Sequence, residues 1–201
     1  MIRAIDIVIS ILVMLLLSPI FLIAAIAIFI ESGYPVFFRQ KRVGRNNEEF
    51  VMIKFRSMAH DNRFSFLGDS EQSPTNLEET AEVYQRTSVN DSRITKVGEV
   101  IRRFHIDELP QMVNVVFGEM SLVGPRPDVR AQEEEYYPRH WAERTSVKPG
   151  LTGLAQVMND RATSVSRRTA LDLLGIRRAG FLMYFWILIM TAVKTVKGSS
   201  F

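Results

Sequence analysis

Ile7–Ile30, which reads IVISILVMLLLSPIFLIAAIAIFI, runs for 24 residues without a charged side chain. About 20 apolar residues suffice for a helix to cross a bilayer, and the run exceeds the roughly 7–15 apolar residues of a secretory leader. Ser18-Pro19 stands at its middle. Proline removes a backbone donor and crowds the preceding turn, so a bend is expected there. The Ser18 hydroxyl is placed to satisfy a carbonyl that the bend frees. Arg3 precedes the run, and Arg39, Lys41 and Arg42 follow it. Basic flanks stay on the cytoplasmic side. A helix that dips in, bends at Pro19 and returns keeps both flanks there, so residues 1–33 are read as a re-entrant membrane helix rather than a straight span.

Working outward, the chain has 201 residues, enough for one domain with a core over residues 34–201. The formal charge of +3 is too small an excess for the dense basic stripe that nucleic acid requires, but suits an anionic membrane face. There is no cysteine, which excludes disulfides, thiolate metal sites and cysteine nucleophiles. A second apolar stretch, Gly180 to Val193, carries Tyr184 and Trp186 and leads into Lys194 and Lys197. Aromatics beside lysines fit a membrane-interface helix over 179–198; a buried core helix is the alternative.

Val36-Phe37-Phe38 and Phe50-Val51-Met52-Ile53 read as short strands joined through a turn-rich basic segment, hence a β-hairpin. Residues 59–92 are polar and carry few apolar anchors, which suggests a mobile surface loop or lid. Ile94, Val97, Ile101 and Phe104 recur at helical spacing, and a further helix is expected from Leu109-Pro110 onward. The expected fold class is α+β: a re-entrant helix, a small sheet and several amphipathic, membrane-surface helices around one domain.

Asp107-Glu108 falls between those two helices. Proline favours the first turn, so the pair sits at a helix N-terminus, where a plain capping role is the simplest account. The surroundings add to it. Arg102 and Arg103 lie just upstream, and Arg126 lies between Pro125 and Pro127 on a stiff loop. Arginine forks onto phosphate, and a carboxylate pair with arginines suits a diphosphate and a divalent cation. Lys54 and Arg56 alternate after the second strand and share a face, as further phosphate ligands or as a solvated edge. Lys148 to Gly153 forms a second stiff turn, followed by Arg161. His60, His105 and His140 have no ligand-type spacing.

The stretches from Arg102 to Gln111 and from Met120 to Pro127 closely resemble the bacterial sugar transferase family, the monotopic phosphoglycosyl transferases. Gln40 to Gly44, Lys54 to Met58, Lys148 to Val157 and the Ser18-Pro19 segment agree with it. The resemblance implies transfer of a sugar-1-phosphate from a UDP-sugar to undecaprenyl phosphate, with release of UMP. It implies Asp107 as nucleophile and metal ligand, Glu108 as its assistant, and Mg²⁺ as cofactor. Lys54, Arg56, Arg102, Pro125, Arg126 and Arg161 are the expected substrate-binding residues. It also implies a catalytic domain on the cytoplasmic face of a bacterial inner membrane, in contact with membrane lipid; a homodimer is compatible with it. Met158-Asn159-Asp160 before Arg161 departs from the family's usual Asn-Gly-Arg, and the sugar is not fixed. A membrane-anchored adaptor on a degenerate domain and a UDP-sugar diphosphatase are the alternatives.

Overall fold

A computed structural model describes residues 2–59, 91, 93–158 and 164–196. The expected loop over 59–92 lies almost wholly outside the described residues, as does Arg161.

Helices α1 (Ile2–Leu16) and α2 (Ser18–Ser32) are separated at Leu17 and bent by 62°. Pro19 stands in the first turn of α2, and the Ser18 hydroxyl donates to the Leu15 carbonyl at 2.8 Å, as the sequence leads one to expect. Among the described residues no single helix is long and apolar enough to cross a membrane; the bent pair is, by length and composition. The polarity of α1 is inverted relative to a surface helix: Asp6 and Ser10 are buried, while Leu12, Leu15 and Leu16 face outward.

Strands β1 (Phe37–Val43) and β2 (Glu49–Phe55) pair antiparallel, with Phe38 opposite Lys54. The hairpin is longer than the apolar clusters suggested, because Arg39, Lys41 and Arg42 continue the strand. Asn46 and Asn47 take positive φ at the tip, a conformation asparagine tolerates. Helix α3 (Lys96–Arg103) starts where the Thr95 side chain accepts from the Gly98 amide. Helix α4 (Gln111–Phe117) ends at Gly118, whose φ of 92° suits glycine.

Strand β3 (Ser121–Val123) is followed by helix α5 (Pro138–Thr145) and by β4 (Gly150–Thr152), which pairs with β3 in parallel. Helices α6 (Leu154–Met158), α7 (Val165–Arg177) and α8 (Phe181–Val196) complete the described chain. The main core joins Phe50 and Met52 of β2 to Met112 and Val115 of α4, with Met120, Leu122 and Tyr184. Burying such apolar side chains contributes about 1.5–3 kcal/mol each. The α8 helix divides its apolar surface: Tyr184 and Ile187 pack inward, and Leu182, Trp186 and Ile189 remain exposed.

Two polar anchors fasten α1 to the domain. Asp6 accepts from the Tyr184 hydroxyl at 2.6 Å, the Ser121 hydroxyl at 2.9 Å and the Leu122 amide at 3.0 Å. Arg3 donates to the carbonyls of Val115 and Val116 at the C-terminal end of α4. At the far end of the pair, Arg56 donates to the carbonyls of Ser32 and Gly33, at 2.7 and 2.6 Å. Both outer ends of the bent pair are thus held by the same body.

Candidate active site

The polypeptide turns sharply after α3. His105 adopts φ 55°, and Ile106–Glu108 form one turn of 3-10 helix before α4. Asp107 and Glu108 therefore sit in a turn of their own rather than as caps on α4, whose N-terminal boundary residue is Pro110. The capping role that the sequence allows is not taken.

The two carboxylates differ in their partners. Glu108 accepts from Arg126 at 2.6 Å. Asp107 is 8% exposed, and among the described residues its side chain has no hydrogen-bond or ion-pair partner. Their proton affinities diverge accordingly. Burial, then the Glu108 charge, pushes Asp107 up to about 7, against the pull of Lys54, Arg102 and Arg126. Burial also opposes the charge on Glu108, but the Arg126 guanidinium outweighs it and holds Glu108 below the usual carboxylate value. Glu108 in turn drives the Arg126 guanidinium upward.

Lys54 reaches the same place from β2. Burial lowers its ammonium to about 8, with Asp107 and Glu108 opposing that shift and Arg42 and Arg126 adding to it. Its Nζ also lies 5.1 Å from the centre of the Phe38 ring, its cross-strand partner. The position of β2 against the carboxylate turn is set by Asn114 of α4. Its carboxamide nitrogen donates to Val51 O at 2.8 Å and to Glu119 at 2.6 Å, and its oxygen accepts from Ile53 N at 3.1 Å.

Lys54, Arg102, Arg126, Asp107 and Glu108 thus share one electrostatic neighbourhood. Arg56 does not share the lysine's surroundings: β2 ends at Phe55, and the buried Arg56 side chain turns to the end of α2. Pro125 is buried. In the Lys148–Gly153 segment glycines let the backbone approach Gly124 closely: a Cβ on Gly150 would lie 2.1 Å from Gly124 N, and one on Gly153 2.1 Å from Gly124 O. Behind Arg126 stands a buried set the sequence reading passed over, Asp128, Arg144 and Asp172.

Among the described residues no group of three or more His, Asp or Glu side chains converges on a metal position. Mg²⁺ ordinarily takes one or two carboxylates and completes its shell with water and substrate phosphate. The buried Asp107, with Glu108 beside it, fits that donor set.

The family described as bacterial sugar transferase matches this chain over residues 1–198. The chain belongs to that family. Among bacterial sugar transferases, it is similar to the UDP-glucose:undecaprenyl-phosphate glucose-1-phosphate transferase of Xanthomonas campestris pv. campestris, at 36% identity over 200 residues, 95% of this chain and 38% of the relative. It is also similar to the UDP-N-acetylgalactosamine-undecaprenyl-phosphate N-acetylgalactosaminephosphotransferase of Aeromonas hydrophila, at 39% identity over 162 residues, 80% of this chain and 34% of the relative. Exopolysaccharide production protein PSS of Rhizobium leguminosarum bv. phaseoli is 35% identical over 211 residues, 99% of this chain and 97% of that protein. The chain therefore spans little more than a third of the first two relatives and nearly all of the third.

Proposed function

We propose that this protein transfers a sugar-1-phosphate from a UDP-sugar to undecaprenyl phosphate, by way of a phosphosugar ester on Asp107. The observation that carries the role of Asp107 is the asymmetry of the pair: Glu108 is bound to Arg126, and Asp107 is buried with no hydrogen-bond partner among the described residues. An Asp107 oxygen attacks the β-phosphorus of the donor, and the bond from that phosphorus to the bridging oxygen breaks. UMP leaves with the electron pair. A phosphate oxygen of undecaprenyl phosphate then attacks the same phosphorus, and the Asp107 carboxylate departs. Splitting one displacement into two is what a carboxylate nucleophile provides. Arg126, Lys54 and Arg102 offset negative charge on the phosphates. Glu108 keeps Arg126 in place and raises the proton affinity of Asp107. Mg²⁺, held by Asp107 with the donor diphosphate, would supply charge neutralisation at the leaving UMP.

The lipid acceptor requires a membrane position, and the bent pair supports one. Two helices of 15 residues are each about 22 Å long. Bent by 62°, with both ends at the surface, their apex would lie roughly 12 Å deep in a hydrocarbon core of ~30 Å. The inverted polarity of α1 and the anchoring of both outer ends on one body favour entry and return on one face, which we place on the cytoplasmic side. The outward Leu182, Trp186 and Ile189 of α8 would lie in the interface.

The test is UMP release from a panel of UDP-sugars, with and without undecaprenyl phosphate and Mg²⁺, beside Asp107→Asn. Lipid-dependent turnover lost in the variant supports the reading. Full turnover without lipid would indicate a diphosphatase, and no turnover from any donor would indicate an adaptor.

A further inference from the structure

The loop Pro125-Arg126-Pro127 is held from behind by two guanidinium groups from distant parts of the chain. Arg144 of α5 donates through Nη2 to the Arg126 carbonyl at 2.6 Å. Arg42 of β1 donates through Nη1 to the next carbonyl, Pro127 O, at 3.1 Å. The Val43 amide donates to Asp128 O at 2.9 Å, so the backbone is engaged at three successive residues. The Arg126 side chain projects the other way, half exposed, onto Glu108.

Arg144 has no freedom to move independently. Its Nη1 donates to Asp128 and its Nε donates to Asp172 of α7 at 2.9 Å. All three side chains are buried. Asp128 also accepts from the Tyr136 hydroxyl at 2.5 Å, and Arg168 of α7 lies 3.6 Å from its other oxygen. A planar guanidinium held on three sides in a buried site is a rigid support, and lysine cannot reproduce its geometry. Its bonds to Arg126 O and to Asp128 tie it to the loop and the residue that follows it; the bond to Asp172 fixes it to α7.

We propose that Arg144 is a positioning residue for the transfer reaction, setting the Arg126 guanidinium against Glu108 by holding the Arg126 carbonyl, with Arg42 as an auxiliary support at Pro127. This rests on the functional reading above, in which Arg126 meets phosphate. The bond from Arg144 is the support nearest the Arg126 side chain, since it holds the carbonyl of Arg126 itself, and a displacement of about 1 Å at a reacting centre costs up to roughly 100-fold in rate.

The experiment is a double-mutant cycle of Arg144→Lys and Arg126→Lys on UMP release, with ¹⁵N-arginine spectra recorded on the same proteins in detergent. Arg144→Lys keeps a cation beside Asp128 and Asp172. The expected result is a loss of kcat/KM of roughly 10-fold or more in the parent, falling mainly on kcat, and less than about 2-fold in the Arg126→Lys background, since residues acting as one unit are not additive. The Arg126 Nε–H is expected to exchange faster with solvent in Arg144→Lys. Multiplicative losses, or an Arg126 signal that does not change, would overturn the proposal. The exchange measurement needs no turnover, so it decides the matter even if the transferase reading fails. If Arg144→Lys does not fold, Arg42→Lys runs the same cycle: a non-additive loss with a loosened Arg126 supports the support role of the loop backbone, and additivity sinks it.

Discussion

Glu108 accepts a 2.6 Å hydrogen bond from Arg126, and this contact distinguishes it from Asp107, which has no such partner among the described residues. Arg126→Gln removes the cation that offsets the Glu108 charge and, in the proposed reaction, donor phosphate. The expected outcome is a fall in kcat of roughly 100-fold or more, the scale for losing one donor at developing charge. Steady-state UMP release measures it; a loss under 3-fold would remove Arg126 from the phosphate site.

Asp107→Asn is expected to abolish turnover and to raise thermal stability at alkaline pH. Burial and Glu108 raise the folded-state proton affinity of Asp107 to about 7, above the unfolded carboxylate value of about 3.9. Between these values the folded protein holds more protons than the unfolded one, so stability falls as pH rises from about 4 to about 7. Asparagine is neutral throughout. Melting curves in EDTA are expected to put the variant a few degrees above the parent at pH 8 and level with it near pH 4. A variant that melts lower at pH 8 would contradict the burial argument.

Lys54 is expected to govern the alkaline side of the pH profile. Its ammonium is lowered by burial to about 8, so its charge, and the attraction it offers phosphate, is lost as pH rises through that value. A profile of kcat/KM is expected to fall above pH 8. In Lys54→Arg the charge persists, and the fall is expected to move up by at least one pH unit. An unchanged limb would assign it to another group.

Asn114→Ala is expected to destabilise the protein by about 2–4 kcal/mol, since it removes three hydrogen bonds and leaves Ile53 N–H and Val51 O without partners. Urea denaturation provides the number. Because Asn114 sets β2 against the carboxylate turn, a matching loss of turnover is expected.

What the sequence disclosed follows from how far each signal reaches. The Ser18-Pro19 bend, the hairpin and the Arg126 loop are written in adjacent residues, and their local chemistry decided them. Alternation puts Arg56 on the face of Lys54, but β2 stops at Phe55 and the Arg56 side chain bonds the Ser32 and Gly33 carbonyls. Asp6, one residue before the apolar run, looks like an ordinary charged flank, yet it is buried on Tyr184, 178 positions away. Arg144, Asp128 and Asp172 lie 16 and 28 positions apart along the chain, with no spacing rule to join them. A buried ion network is assembled by tertiary contact, and its members read singly as surface charges.

The Asn114 carboxamide has one more consequence. It takes up the outward carbonyl of Val51 and the outward amide of Ile53, which are the groups a passing extended chain would pair with. A two-stranded ribbon rich in phenylalanine and valine is a natural template for edge-to-edge association. Here one side chain occupies that template where β2 passes α4, so this stretch of the β2 edge is closed to a stray strand once α4 has packed against it.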